Sequence, residues 1–333
     1  MGSFLDLAIA NLTSPMILFF ALGVVAALAR SDLNIPEAIA KGLSIYLMMA
    51  IGFKGGASVA AHGVDLKLIL SLLAGTALSA LMPLLAFRLL MSTTTLPRID
   101  AAAVAAHFGS ISIVTFLAMT QALENAGLPS EGYMVAVAAA METPAIIAAL
   151  WLAYAGTGAA NGGPAGKNGG GLDASTLREI FLNGSIVMLL GAFVIGVITG
   201  SEGLETMAPF IVSPFKGVLC LFLLDMGLLA GRGLREGRKD LTLPLIGFGI
   251  YMPLIGAVLG AGCGALIGLS TGGTALFAVL AASASYIAVP AAMRLALPDA
   301  RPAIYLPLSL GVTFPFNLTI GIPVYMALAM ALT

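Results

Sequence analysis

Charge is what this chain has least of. Only 9% of its 333 residues are Asp, Glu, Lys or Arg, against 59% hydrophobic, and its mean hydropathy is +1.05. That leaves too little polar surface for a soluble domain of this size. Histidine is scarce as well: His62 and His107 are the only two, and no HExxH, GxSxG or phosphate-loop pattern stands beside them. Enzymatic chemistry finds no footing, and neither a cofactor nor a nucleic-acid partner is expected. Cysteine is limited to Cys220 and Cys263, in apolar stretches and without CxxC spacing, which argues against a disulfide framework and a metal site. Both read as packing residues.

What the chain has in quantity is apolar sequence long enough to cross a lipid bilayer. Ten spans are expected, at about 15–30, 36–53, 66–90, 101–123, 131–155, 180–200, 209–230, 243–268, 273–297 and 302–332. The fold class is therefore an all-α polytopic membrane protein. No cleavable signal peptide is expected, since Met1 to Leu12 carries no Lys or Arg, and a first anchor starts near Pro15. Of 15 basic residues only Lys54, Lys67 and Lys216 fall toward one side of these spans. The rest, Arg30, Arg88, Arg98 and Arg232 among them, mark the cytoplasmic side, which places both termini outside a bacterial inner (plasma) membrane.

Gly156 to Gly171 is a run of Gly, Ala, Asn and Pro with a single Lys167, and residues 156–176 read as a flexible cytoplasmic linker. It separates a first five-helix repeat, 1–155, from a second, 177–333. An odd number of spans inserts the second repeat upside down. Echoes run in the same order through both halves: Ile51-Gly52-Phe53-Lys54-Gly55-Gly56 against Met226-Gly227-Leu228-Leu229-Ala230-Gly231, then Met82-Pro83 against Met252-Pro253. The expected architecture is a 5+5 inverted repeat with broken helices.

The breaks are the most informative feature. Gly109-Ser110-Ile111-Ser112 with Thr115 interrupts one apolar span, and Ser283-Ala284-Ser285 interrupts another 173 positions on. Backbone and hydroxyl groups that leave regular helical bonding inside a bilayer must be satisfied by protein, by a water-filled cavity or by a ligand. The fifth span of each half carries a further interruption, Met141-Glu142-Thr143-Pro144 in one and Gly311-Val312-Thr313-Phe314-Pro315-Phe316-Asn317 in the other. Proline removes a donor and frees the carbonyl one turn earlier. No Lys or Arg lies mid-span, so an anion there would rely on half-helix N-termini, hydroxyls and a co-bound cation. Ser110, Ser112, Thr115, Ser283, Ser285, Thr313 and Asn317 supply oxygens suited to a hard cation such as Na⁺, and no other metal is expected.

Two carboxylates lie within spans, where ionisable groups are costly. Glu142 adjoins a proline break and could coordinate Na⁺ or cap freed amides, while Asp225 suits a pairing with a basic residue at a helix interface. His107 could carry a proton, although a hydrogen-bonded interior histidine is the favoured reading. A Na⁺/H⁺ antiporter, a Na⁺ symporter of another small organic anion and a channel all stay open at this point. An antiporter would want adjacent carboxylates or a Lys–Asp pair at the crossing, and neither accompanies Ser110 or Ser283.

Three stretches carry a family likeness: Ser44 to Gly56, His107 to Phe116, and Gly132-Tyr133-Met134 leading to Met141-Glu142-Thr143-Pro144-Ala145-Ile146-Ile147. They resemble the cyanobacterial-type sodium-dependent bicarbonate symporters, the SbtA family, from about Pro15 to the C-terminus. The resemblance implies a homotrimer, a gate domain against a mobile core domain, and Na⁺-coupled bicarbonate uptake as part of carbon concentration. It implies an anion between the broken helices near Gly109, Ser110, Ile111 and Ser112 and near Thr313 and Phe314, with Na⁺ close by, and a cytoplasmic PII-like trimeric regulator as partner. The chain departs from the family pattern in its short glycine-rich linker and at Thr143, where serine is expected. Bicarbonate also suits the residues themselves, because a small monoanion needs few donors and pairing with Na⁺ offsets the burial of both charges.

Overall fold

The computed structural model describes residues 4–63, 65–154, 184–236, 240–286, 289–290, 293, 297 and 299–333. The linker 156–176 expected from its glycines lies outside the described residues. Helix is the only regular secondary structure among the described residues, as an apolar chain without water to bond its backbone requires. The helices are α1 (Phe4–Leu12), α2 (Pro15–Leu28), α3 (Glu37–His62), α4 (Leu66–Thr93), α5 (Arg98–His107) and α6 (Ile113–Asn125). They continue as α7 (Met134–Ala140), α8 (Glu142–Tyr154), α9 (Gly184–Ile211), α10 (Phe215–Glu236), α11 (Leu243–Ile267), α12 (Thr271–Ala282) and α13 (Pro302–Leu332).

Six of these, α3, α4, α9, α10, α11 and α13, are long and apolar enough to cross a membrane. The other four expected spans fall on shorter pieces, for reasons visible in the sequence. The span at 101–123 divides into α5 and α6 around Phe108 to Ser112, and that at 131–155 into α7 and α8 at Met141. In the span at 273–297, α12 stops at Ala282, where Ser283 caps it in extended conformation, and helical residues recur at 289–290 and 293. The first is the 14-residue α2, ended by Arg30 in the left-handed region. Two boundaries move. The helix expected to end at 53 continues to His62, and that expected to end at 200 continues to Ile211 through a bend where Gly200 adopts φ 58°.

The last span departs most from expectation. Instead of a break at 311–317, α13 stays helical but widens into π-helical turns at Pro307–Thr313 and Asn317–Gly321. A wide turn absorbs an extra residue and rearranges the carbonyls around Pro315 and Pro323, which lack N–H donors. Asn11 of α1 donates to the spare carbonyls of Leu318 (2.7 Å) and Thr319 (3.3 Å).

Helices pair through small residues. Gly227 and Gly231 of α10 meet the backbone of α2 at Phe20 and Val24, and Gly52 and Gly56 of α3 meet α9 at Leu189 and Phe193. Spacing of four puts each glycine pair on one helix face, and the missing side chains let the backbones touch, the packing that lipid solvent favours. The echo between residues 51–56 and 226–231 is thus two equivalent helix contacts. Helix α5 is enclosed on every side, its Ala101 to Ala106 run at most 1% exposed. Carboxylates tie helix ends together. Asp100 accepts from the Arg301 backbone N–H (2.9 Å) and Nε (2.8 Å) and pairs with its Nη2 at 2.7 Å, joining α5 to the start of α13. Glu131 accepts from the Ser270 N–H (2.7 Å) and hydroxyl (2.8 Å), joining the start of α7 to the start of α12.

An alanine Cβ at Gly56 would overlap the carbonyl of Phe193, which is helix backbone and has little room to give. Gly56→Ala should lower the thermal unfolding temperature in detergent by a few degrees, an overpacking cost on the order of 1–3 kcal/mol. Gly42→Ala, with nothing within 4 Å of the new Cβ, should leave it unchanged or raise it slightly.

Candidate functional site

Two prolines prepare the site. Pro83 in α4 and Pro253 in α11 have no N–H, so the carbonyls one turn earlier, Ser79 and Gly249, lose their helical partners. The Gly249 carbonyl accepts the Thr313 hydroxyl at 2.8 Å. The Ser79 carbonyl and the Pro83 ring instead lie against Gly109, so close that only a residue without a Cβ fits. Gly109 is therefore where the break between α5 and α6 rests on α4.

The two Ser-x-Ser stretches meet. The Ser112 N–H donates to Ser283 Oγ at 2.9 Å, and Ser283 Oγ donates to the Leu280 carbonyl at 3.0 Å. In the other direction the Ser285 N–H donates to the His107 carbonyl at 2.8 Å. Each break thus supplies what the other has lost. Ser112 also caps α6, its Oγ accepting from Thr115 N–H (3.3 Å) and Thr115 Oγ1 (2.9 Å), while Ser285 Oγ accepts from Val289 N–H at 3.5 Å. Asn317, in the second wide turn of α13, donates to the Ala282 carbonyl at the end of α12 (3.0 Å) and accepts the Tyr325 hydroxyl (2.6 Å). Phe314 packs its ring on Tyr286 (4.9 Å) and Phe20 (5.3 Å).

Buried polar atoms remain over after these bonds are made. Ser110 Oγ and His107 Nε2 have no hydrogen-bond partner although their residues are 0% and 1% exposed. The Tyr286 hydroxyl faces Ser112 without reaching bonding geometry. Three unmatched polar groups in or beside two crossing breaks are a site for water or a ligand, since buried polar atoms are otherwise bonded. With the N-terminus of α6 at the crossing, donors for an anion and oxygens for a cation occur together.

The structure brings together Gly109, Ser110, Ile111, Ser112, Thr115, Ser283 and Ser285, with Asn317 and Phe314 joined through Ala282 and Tyr286. Thr313 binds Gly249 instead. Glu142 is buried with Oε2 unpartnered, but no bond ties it to the crossing. The exposed backbone expected at Pro144 is not found. Pro144 falls in the first turn of α8, where its missing N–H costs nothing, and Ser79 Oγ donates to the Met141 carbonyl and accepts from Ala145 N–H (3.2 Å). Asp225 is buried, and Arg232, whose charge acts on it, makes its hydrogen bonds to the Leu33 carbonyl and Asn34. The interior reading of His107 holds: its Nδ1 bonds the Ala103 carbonyl at 2.7 Å and its ring lies 4.9 Å from that of Tyr305.

Sequence reasoning missed Tyr286, Tyr325 and Ser79. Tyr286 directly follows the second Ser-x-Ser and was within reach. Ser79 stands one turn before Pro83, a spacing that also could have drawn notice.

Interrupted helices meeting inside a multi-pass helical membrane protein are the arrangement of membrane transport proteins. The particular family follows from comparison with known proteins: the description "Na+-dependent bicarbonate transporter superfamily" matches residues 15–330. The chain belongs to that superfamily, whose members are transporters and not enzymes, and bicarbonate, Na⁺ and the bilayer are the partners this membership implies. A search among curated proteins returned no match.

The bonding pattern separates two serines by stability alone. Ser283→Ala strands the buried Ser112 N–H and should cost about 1–3 kcal/mol in unfolding measurements, whereas Ser110→Ala removes an unmatched hydroxyl and should cost nothing or stabilise slightly.

Proposed function

We propose that this protein is a Na⁺-coupled symporter that imports bicarbonate across a bacterial plasma membrane. Family membership gives the substrate pair, and one observation carries the location: Ser110 Oγ, buried and unmatched between two crossing breaks. In this reading the anion takes donors from the Gly109-Ser110-Ile111-Ser112 backbone, the Ser110 hydroxyl and the α6 N-terminus, beside Thr313 and Phe314. Na⁺ takes oxygens from among Ser110, Ser112, Thr115, Ser283, Ser285 and Asn317, with Glu142 as a further candidate. Each charge compensates the other where no lysine or arginine does.

The proposal extends to architecture. Ten spans in a 5+5 inverted repeat are supported by matched packing: α2 on α10 answers α3 on α9, and the Asp100–Arg301 tie answers Glu131–Ser270. These four paired helices form the gate and the rest the core. A homotrimer and a PII-like regulator complete the proposal on family grounds, and both termini outside with a cytoplasmic linker complete it on the distribution of basic residues. A Na⁺/H⁺ antiporter is the alternative, and it lacks a grouped set of carboxylates at the crossing among the described residues.

Uptake of labelled bicarbonate into proteoliposomes tests this. With no lysine or arginine among the described residues of the site, Na⁺ should tighten bicarbonate by about 5–150-fold, a coupling of roughly 1–3 kcal/mol, and bicarbonate should tighten Na⁺ equally. Ser110→Ala should raise the half-saturating concentration of Na⁺ or anion at unchanged stability, while Thr206→Ala, an exposed hydroxyl bonded back to Glu202 at 2.9 Å, should change nothing. Uptake undiminished when K⁺ replaces Na⁺ would refute symport.

A further inference from the structure

A groove of about 910 Å³ runs along the outside of the helix bundle between α4 and the α7–α8 pair, with Leu190 of α9 on its far side. Leu72, Ala80, Leu84, Ala140 and Ile147 line it, and Thr76 brings its one side-chain hydroxyl. From Leu72 to Leu84 is twelve residues of helix, roughly 18 Å at the α-helical rise. That is about one leaflet's share of a hydrocarbon core of about 30 Å.

The end of the groove is built differently. Leu72, Thr76, Ala80 and Leu84 follow one another at four-residue steps along α4, and Arg88 is the next step, one turn beyond Leu84. Arg88 is exposed and makes no hydrogen bond or ion pair with the other described residues. Arg98 stands close by: it donates Nε and Nη2 to the Leu152 carbonyl (3.1 and 2.9 Å), and its guanidinium lies 5.0 Å from the ring of Phe87. Trp151, the single tryptophan of the chain and the neighbour in sequence of Leu152, lines the groove and is 63% exposed. An indole lining an apolar channel, one arginine bonded to the carbonyl of the next residue and another one helical turn beyond Leu84 match a phospholipid at the membrane surface, chain inward and phosphate outward.

We propose that this groove holds an acyl chain of an anionic phospholipid, with the headgroup phosphate bound by Arg88 and Arg98. Any lipid can wet an apolar groove; the two arginines select negative charge. The site is separate from the helix crossing and requires no transport to be observed.

Trp151 reports on it directly. The full-length protein is placed in phosphatidylcholine vesicles containing a small fraction of brominated-chain phosphatidylglycerol or, separately, of brominated-chain phosphatidylcholine. Brominated phosphatidylglycerol should quench tryptophan fluorescence more strongly at equal mole fraction, and unlabelled phosphatidylglycerol should reverse it where phosphatidylcholine does not. Arg88→Gln should weaken the preference about fivefold, the weight of one basic residue near an anionic surface. Ala80→Phe, which fills the groove, should reduce quenching by both lipids, with circular dichroism confirming that both variants remain folded. Equal quenching by the two lipids, or a preference untouched by Arg88→Gln, overturns the proposal. Quenching by neither, with disulfide crosslinks between chains at Ala140→Cys, would show that a second copy of the chain covers the groove, and also overturns it.

Discussion

Everything at the centre of this molecule depends on two broken helices completing each other. A helix that stops halfway through a bilayer leaves amides and carbonyls with no water to receive them. Here the Ser112 amide goes to Ser283 Oγ and the Ser285 amide to the His107 carbonyl, so each break is held open only because the other lies across it. The hydroxyls are placed by that exchange. The Ser112 amide and the Ser283 hydroxyl are bonded in it, whereas the Ser110 hydroxyl is buried and left over.

The surrounding helices repeat the same solution with different residues. Pro253 frees a carbonyl and Thr313 satisfies it; Pro83 frees the corresponding one and Gly109 lies against it. Ser79 supplies both a donor and an acceptor where α7 gives way to α8. Irregular backbone is thus allowed at few points, and Ser110 Oγ, His107 Nε2 and the Tyr286 hydroxyl stay unmatched in or beside the crossing, as Ser71, Gln121 and Thr274 do elsewhere.

Much of this was legible in the sequence. Composition dictated membrane helices, the Ser-x-Ser pair marked the breaks, and the echo between residues 51–56 and 226–231, read only as a sign of duplication, falls on two close helix contacts. What stayed hidden depends on distances between helices. Nothing around Asn317 says that it reaches the Ala282 carbonyl, 35 positions back, or that Gly321 makes room for Tyr325 to bond it. Proline was read as a break at both Pro144 and Pro315, but its effect depends on register: Pro144 begins a helix and is harmless, while the helix around Pro315 widens into π turns. The sequence shows the Thr313 hydroxyl but not that it donates to the carbonyl that Pro253 releases.

The central claim is that the unmatched groups at the crossing form one site in which Na⁺ and bicarbonate stabilise each other. Equilibrium binding of labelled bicarbonate to the purified protein, in Na⁺ or in K⁺ and free of any transport step, tests it most directly. The account predicts saturable binding in Na⁺ that weakens sharply in K⁺ and in Ser110→Ala, with Ser110→Ala as thermally stable as the parent. Binding of equal strength in Na⁺ and K⁺, or a Ser110→Ala protein that binds like the parent, would contradict it.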